Sequence, residues 1–181
     1  LDLTALRRSL DEVIQRHEAL RTVFPSDAGH PHQVFCAEMP VNLSVRDLRE
    51  SPNRESALDG LIREEIGRTF DLTRGPLMRA ALFRMQEEDT VFVLTLHHII
   101  CDGPSIAVLL EELSVLYRNF RDGVRAQLPQ LRAQYADFSL WQSETLVKAL
   151  RDKQVSYWRE ALRNCPADLD LPLDRPRSPG G

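Results

Sequence analysis

The spacing of apolar residues changes along the chain, and each change predicts a new helix or strand. Residues at helical spacing open the chain: Leu3, Leu6, Leu10, Val13, Ile14 and His17. Asp2 is placed to cap the first turn of this predicted helix. A loop over residues 25–33 precedes one or two strands predicted within residues 33–48. A second predicted helix carries its apolar residues on one face: Leu58, Leu61, Ile62 and Ile66.

The second half of the chain predicts two strands followed by helices. The strands lie in FDLTRGPLMRAALFRM and VFVLTLHH, joined by the polar turn QEEDT, and the second is so apolar that it predicts a central strand. The next helix, which Ser105 can cap and Gly123 can end in a left-handed turn, carries residues at helical spacing. These are Ile106, Leu109, Leu110, Leu113, Leu116, Tyr117 and Phe120. A last helical stretch covers residues 134–164, and its aromatic residues are predicted to pack rather than to bind: Tyr135, Phe138, Trp141, Tyr157 and Trp158.

Composition and charge exclude several classes of protein. With 181 residues, 43% of them hydrophobic, the chain fits one soluble domain, and its net charge of -4 with interleaved signs favours neither nucleic acid nor an anionic membrane. No apolar run is long enough to span a bilayer, so we expect a cytoplasmic protein. Three widely spaced cysteines predict neither a disulfide framework nor a metal pair, and Cys101 is expected to be a small buried residue.

Two adjacent histidines stand at the end of the second apolar strand, in LTLHHIICDGPS. Successive side chains of a strand point to opposite faces, so His97 and His98 cannot easily converge on one ion, and His30 and His32 add only a weak pair of possible ligands. We therefore expect no metal site. The alternation favours a division of labour in which one imidazole is structural and the other faces a cleft.

The residues after the histidines admit both a chemical and an ordinary interpretation. His98 is best placed to accept a proton or to hold one by a hydrogen bond. Asp102 could orient a neighbour or tie the loop to an arginine, and Gly103 could permit an unusual turn or let a substrate approach. Equally, both histidines could be ordinary residues at a strand end, with DG as a simple turn. Spacing alone does not decide between these interpretations.

Four motifs together resemble the condensation domains of nonribosomal peptide synthetases. HHIICDG (residues 97–103) is similar to their His-His-x-x-x-Asp-Gly motif. RHEALRTVF precedes it, and YADFSLWQ and then YWREAL with LPLDRPR follow in the order of the family. The resemblance implies an α/β fold similar to chloramphenicol acetyltransferase, the fold of CoA-dependent acyltransferases, with a mixed sheet flanked by helices.

The resemblance also implies that this chain is only the first half of such a domain. Residues 1–165 would form the N-terminal subdomain without its first strand, and residues 166–181, rich in proline, would be the crossover or linker to the missing C-terminal subdomain. Leu1 and Gly181 would then be artificial ends. An isolated half would be inactive, because half of the active site would be absent.

The activity that the resemblance implies is amide bond formation by an acyltransferase. An upstream carrier protein would present an acyl or peptidyl thioester and a downstream carrier an aminoacyl thioester, each on a phosphopantetheine arm. An adenylation domain would belong to the same synthetase. The domain itself would bind no cofactor. Two alternatives stay open: an ester-forming acyltransferase of the same superfamily, and a noncatalytic module that recruits partner enzymes and tends to lose the second histidine, which is present here.

Residue roles implied by the resemblance follow the motifs. His98 would act on the attacking amine as base or positioning group, while His97 would point inward and brace the loop. Asp102 would pair with an arginine, either Arg21 or one in the missing half. Gly103 would lie on the channel floor. Further structural roles are implied for Arg16 and Arg21, bracing helix against sheet, and for Trp141. Pro104 stands where the family often has tryptophan and suits the first turn of a helix; the motifs look most like the subtype that joins two L-configured residues.

Overall fold

The computed structural model describes residues 1–125, 127–166 and 172. Its helices and strands, in chain order, are α1 (Leu3–Arg16), β1 (Thr22–Val23), β2 (Ser26–Asp27), β3 (His30–Pro31), β4 (Val34–Phe35), β5 (Leu43–Asp47), α2 (Arg54–Gly67), β6 (Met78–Arg84), β7 (Thr90–Leu96), α3 (Gly103–Arg121), α4 (Tyr135–Trp141) and α5 (Val147–Ala161). A 3-10 turn over Glu18–Arg21 follows α1, and a π-helical turn over Gln142–Leu146 joins α4 to α5. The chain divides into two compact units, Leu1–Asp137 and Phe138–Gly181.

A mixed sheet of three strands organises the first unit. β5 pairs parallel with β6, and β6 pairs antiparallel with β7 from Met78 opposite Leu96 to Arg84 opposite Thr90. Helix α2 covers one face of the sheet, while α1 and α3 pack over the other. The predicted α/β fold with a mixed sheet flanked by helices is confirmed.

The central strand of this sheet is β6 and not β7, so the prediction of a central VFVLTLHH strand is wrong for the described residues. The apolar character of β7 has another cause. Val91 and Val93 face the cluster under α2, whereas Phe92 and Leu94 face the cluster under α1 and α3. Helices on both faces demand apolar residues at every position of a strand, whatever number of strands lies beside it.

Helix α1 forms where its apolar spacing predicts it. Asp2 accepts a hydrogen bond from the Ala5 backbone N–H at 2.9 Å, which confirms the predicted cap. The buried face of the helix consists of Ala5, Leu6, Ser9, Leu10, Val13 and Ile14. This face packs against α3, and the hydroxyl of Tyr117 on α3 accepts from the Asp2 backbone N–H at 2.8 Å.

Helix α2 departs from its predicted face at one end. Leu58, Leu61 and Ile62 are partly buried against the sheet as expected, but Ile66 is 66% exposed. Glu65 is buried in its place, because its carboxylate meets the buried guanidinium of Arg79 on β6. The prediction for Ile66 is therefore wrong: Glu65, seven positions after Leu58, lies on the same helix face, and its ion pair with Arg79 lets a charged residue be buried there.

Helix α3 is the longest helix among the described residues, and it ends as predicted. Gly123 has φ +69°, the left-handed conformation that glycine adopts without strain. Leu109, Leu113 and Leu116 are buried, while Leu110, predicted for the same face, is 46% exposed.

The described part of the second unit is helical over residues 138–161, as the spacing over residues 134–164 predicts. Its described aromatic side chains are exposed and form no core, so the prediction that they pack is wrong. Trp141, for which a structural role was expected, is 50% exposed. Neighbouring rings contact one another instead, Phe138 with Trp141 at 5.9 Å and Tyr157 with Trp158 at 5.3 Å between ring centres. Tyr135, in the first unit, is also exposed. The predicted linker at 166–181 lies outside the described residues, except Pro166 and Pro172.

No described helix combines the length and apolarity that crossing a bilayer requires.

Candidate functional site

The two histidines lie in the turn that connects β7 to α3. Strand β7 ends at Leu96, and the Ile100 backbone N–H closes the turn by donating to the His97 carbonyl at 3.1 Å. The Cys101 thiol lies 3.7 Å from the same carbonyl and is only partly buried, less than predicted. Burial, with a smaller effect of Asp102, raises the pKa of this thiol, so it is not a ready nucleophile.

His97 is the fixed member of the pair. Its backbone N–H donates to the Leu77 carbonyl at 3.0 Å, and its ring Nδ1 accepts from the Ile99 backbone N–H at 3.0 Å. The ring also meets Phe70 edge to face, with 5.9 Å between ring centres and an interplanar angle of 88°. These contacts hold the half-buried imidazole and the turn in one arrangement.

His98 points the other way and is exposed at the wall of an open cleft of about 450 Å³. Most of the surrounding surface is apolar and includes Leu20, Leu96, Ile99, Pro104, Val108 and Tyr135. Such a site suits a ligand with an apolar arm and one reacting polar group. The division between the two imidazoles that the strand alternation predicts is therefore present.

Asp102 caps helix α3, a role that the sequence assigned to Ser105. The Asp102 carboxylate accepts from the Ser105 backbone N–H at 3.0 Å, and the Ser105 Oγ accepts from the Asp102 backbone N–H at 3.2 Å. The Ser105 hydroxyl also bonds to the carboxylate. The prediction for Ser105 is corrected: the two residues form a capping box, with Asp102 at the cap and Ser105 three residues later.

These bonds set the electrostatics of Asp102. The hydrogen bond from the Ser105 side chain, then that from its backbone, lowers the pKa of the carboxyl below its ordinary value of 3.8, and the charge of His98 adds a smaller effect. Asp102 is therefore ionised at neutral pH. It acts as a fixed acceptor at the helix N-terminus and is unsuited to carrying protons.

Gly103 is the first residue of α3 and has no left-handed backbone conformation, so the unusual turn considered for it is wrong. A Cβ at Gly103 would meet no atom within 4 Å. The expectation that glycine leaves room for a ligand stays a prediction. Pro104 lies in the first turn of α3, as expected.

Among the described residues, no group of three or more histidine, cysteine, aspartate or glutamate side chains is arranged to hold a metal ion. His32, one of the two extra histidines, lies 3.7 Å from Asp27 on the exposed hairpin of β2 and β3.

Comparison with known proteins gives this geometry a family. The condensation-domain family matches residues 1–181. This chain belongs to the condensation-domain family. Over 179 residues it is 44% identical to a linear gramicidin synthase protein of Brevibacillus parabrevis, covering 98% of this chain and 4% of that protein. It is 42% identical over 175 residues to the phosphinothricin tripeptide synthetase PhsC of Streptomyces viridochromogenes, covering 96% of this chain and 16% of that protein. The chain thus spans a small part of these synthetases.

Solved structures agree with the chloramphenicol acetyltransferase-like fold of condensation domains. The X-domain from teicoplanin biosynthesis is 33% identical, with a TM-score of 0.86 over 98% of this chain and 39% of that chain. The starter condensation domain of the rhizomide synthetase RzmA has a TM-score of 0.82 over 92% of this chain and 40% of that chain, at 18% identity, and supports the fold alone.

The two arginines of the RHEALRTVF motif in this condensation domain contact different elements. Arg16 Nε donates to Glu112 at 3.0 Å and Nη2 to the Pro129 carbonyl, so Arg16 ties α1 to α3 and not to the sheet. Arg21 donates to the Cys36 carbonyl at 2.7 Å and lies 3.6 Å from Glu18. Arg21 is therefore not the partner of Asp102, and the other expectation, an arginine in the missing half, stays a prediction.

Two further features of the condensation domain were missed by sequence reasoning. His17 lines the same cleft as His98, and its Nε2 lies 2.7 Å from Glu112, a partner 95 positions away that no local pattern reveals. Arg79 forms a buried ion pair with Glu65. A signal for this pair exists in the sequence, because a charge inside the apolar run MRAALF must find a partner if the strand is buried.

Proposed function

We propose that this chain provides the histidine-bearing side of an active site that forms amide bonds between two carrier-bound thioesters. An upstream carrier protein delivers an acyl or peptidyl thioester, and a downstream carrier delivers an aminoacyl thioester whose amine attacks. The observation that carries the proposal is the contrast between His97, held by hydrogen bonds and by Phe70, and His98, exposed at the wall of an apolar cleft.

The reaction is a nucleophilic acyl substitution in which one proton moves. The amine nitrogen attacks the thioester carbonyl, the C–N bond forms, the C–S bond breaks, and the phosphopantetheine thiolate leaves and takes up the proton that the amine loses. A neutral imidazole at His98 is suited to accept that proton in passing or to orient the amine through a hydrogen bond. Asp102 supports this role from the helix cap, where it keeps the start of α3 in place.

No bound cofactor has a part in this proposal. Phosphopantetheine arrives as the arm of each carrier protein, and the apolar lining of the cleft suits the methylene and dimethyl groups of such an arm. The carriers and an adenylation domain that activates the acceptor amino acid would belong to the same synthetase.

Partner recruitment is a second candidate function, favoured by one comparison. The X-domain from teicoplanin biosynthesis, 33% identical to this chain, has also been solved as a complex with OxyB. A recruiting role would require a docking surface and would not depend on His98. The rate of amide formation by a His98 variant therefore separates the two functions.

The test uses the synthetase module that carries this chain, with donor and acceptor loaded on their carriers and amide product followed in a single turnover by mass spectrometry. His98→Ala is expected to slow amide formation by about 100-fold or more, the range of general acid–base assistance. His30→Ala, on an exposed hairpin, is the matched control and should leave the rate unchanged. Full activity of His98→Ala would refute the proposed role of His98 and favour recruitment.

A further inference from the structure

Beneath the motif lies a row of side chains that the proposed chemistry does not use. It runs from Glu65 on α2 through Arg79 on β6 and Phe70 in the loop between them to His97, and we call it the supporting column. Arg79 is 5% exposed and Glu65 is 8% exposed, so both charges are removed from water. A buried pair costs desolvation free energy, and apolar residues could fill the same volume. Stability alone therefore gives no reason for an ion pair at this position.

The guanidinium of Arg79 is fixed in its plane by several hydrogen bonds. Its Nε donates to the Glu65 carboxylate at 2.5 Å, and its Nη2 donates to the carbonyls of Glu65 and Arg68, each at 3.0 Å. Nη1 reaches the Thr69 carbonyl at 3.5 Å. These carbonyls lie at the C-terminal end of α2 and just beyond it, where a cation is favourable. The flat fork of arginine makes this set of bonds, whereas a lysine ammonium does not.

The fixed guanidinium holds Phe70. Arg79 Cζ lies 3.8 Å from the centre of the Phe70 ring, a cation–π contact in a desolvated site. Phe70 in turn meets the His97 ring edge to face, with 5.9 Å between ring centres. The phenyl ring therefore contacts both the cation and the imidazole, and these two contacts set its orientation.

His97 connects the Phe70 ring to the turn that carries His98. Because its Nδ1 accepts from the Ile99 backbone N–H, the neutral ring must carry its proton on Nε2. The Ile99 N–H is part of the turn that holds His98, and the Ile100 N–H bonds to the His97 carbonyl. A change in the tilt of the His97 ring therefore changes the turn that aims His98 into the cleft.

We propose that Phe70 and Arg79 are positioning residues for His98: they fix the tilt of the His97 ring, which keeps its Nδ1 on the Ile99 backbone N–H, and His97 fixes the turn. The proposal rests on the role of His98 proposed above. It predicts that loss of the phenyl ring harms the reaction step rather than carrier binding, since neither Phe70 nor Arg79 is among the cleft-lining residues.

The first test compares two phenylalanines whose rings each contact an arginine. In the synthetase module, Phe70→Leu should lower kcat by about 10-fold to 100-fold, the cost of a misplaced reacting group, with KM for the acceptor carrier unchanged. Phe120→Leu is the matched control, because the Phe120 ring centre lies 4.2 Å from Arg8 Cζ where α1 packs on α3, away from His97. Loss of the Phe120 ring should leave kcat unchanged. Phe70→Tyr keeps the ring and should retain most of kcat.

A second readout follows His97 itself. In the ¹⁵N spectrum of histidine-labelled protein, wild type should show the Nε2–H tautomer at His97, and Phe70→Leu should shift its ring nitrogens, while Phe120→Leu should not. If Phe70→Leu does not fold, Arg79→Lys replaces it: the charge opposite Glu65 remains, the stacking plane is lost, and kcat and the His97 signals should change in the same direction.

The outcomes separate this inference from the proposed function. Wild-type kcat and unchanged His97 signals in Phe70→Leu, or equal losses in Phe70→Leu and Phe120→Leu, would overturn the positioning role, and the proposed function would still stand if His98→Ala is inactive in the same assay. Full activity of His98→Ala would refute the proposed function, whereas shifted His97 nitrogens in Phe70→Leu would still show that the column controls His97.

Discussion

The two sides of the turn that carries His97 and His98 differ in burial and in the number of contacts that hold each imidazole. On the closed side, His97 contacts Phe70, and Arg79 and Glu65 complete a buried row in which each charge has a partner. On the open side, His98 and Ile99 are exposed beside an apolar cleft. A turn can present a reacting group to an open space only if something else holds the turn, and here the closed side does so.

The same contrast holds for the charged residues of the two sides. Glu65 and Arg79 are removed from water and form an ion pair, and Glu65 also bonds to the more exposed Arg68 at 3.0 Å, so the loss of Arg79 removes the buried partner of the carboxylate. Asp102, at the open side, is exposed and depends on hydrogen bonds from Ser105. The closed side should therefore respond to substitution with large losses of stability, and the open side with losses of activity at nearly constant stability.

The largest effect on stability is expected when the closed side loses one charge. Arg79→Met removes the buried partner of the Glu65 carboxylate and leaves it only the more exposed Arg68, 3.0 Å away, so the free energy of unfolding should fall by about 3 kcal/mol in urea titration, the lower end of the range for a broken buried pair. The double variant with Glu65→Leu removes both charges and should recover most of that loss. A single variant that costs less than about 1 kcal/mol would show that the pair is not desolvated as the structure indicates.

Two glycines sharpen the comparison at a smaller scale. Gly75 has φ +64°, and a Cβ there would lie 3.1 Å from both Met39 and Val23, so Gly75→Ala should lower the free energy of unfolding by about 1 to 2 kcal/mol. Gly103→Ala meets open space and should leave stability unchanged while slowing amide formation. Thermal unfolding and the single-turnover assay on both variants test this. Normal activity of Gly103→Ala would mean that no ligand passes close to that position.

The smallest effect concerns the titration of Asp102. Its pKa is lowered in the folded protein, chiefly by the Ser105 side chain, so its contribution to stability is present above its ordinary value of 3.8 and is lost as the pH falls through the folded value. Ser105→Ala should move the pKa of Asp102 in the folded protein upward, so that this loss becomes smaller and is complete at a higher pH. A ¹³C titration of the carboxyl measures the shift, and identical curves for both proteins would contradict the capping-box account.

Much of the fold could be predicted from the local pattern of the sequence, and the predictions that were wrong have physical causes. Apolar spacing located α1 and α3 because a buried helix face repeats with the helical period. The same signal could not identify the central strand, because β7 is apolar for another reason: helices cover both of its faces. Nor could it choose between Asp102 and Ser105 as cap, because the two residues cap reciprocally.

Within the site, the sequence located the histidines but not their surroundings. The opposite orientation predicted for His97 and His98 is present, although both lie in the turn after β7 and not in the strand whose alternation predicted it. The partners of Arg16 and Arg21 depended on tertiary packing, with Glu112 lying 96 positions from Arg16. Arg79 was the overlooked signal: a charge within a buried apolar strand predicts a buried partner, which is Glu65. Arg79 also contacts Phe70, and Phe70 contacts His97.

The central claim is that adjacent histidines occupy a closed and an open environment, and hydrogen–deuterium exchange at the imidazole Cε1 tests it most directly. Both ring signals would be assigned with His97→Gln and His98→Gln and followed by NMR in deuterated buffer near neutral pH. We expect His98 to exchange at nearly the rate of free histidine and His97 to exchange much more slowly, because the ring of His97 is packed against Phe70. Equal rates, or faster exchange at His97, would contradict the account.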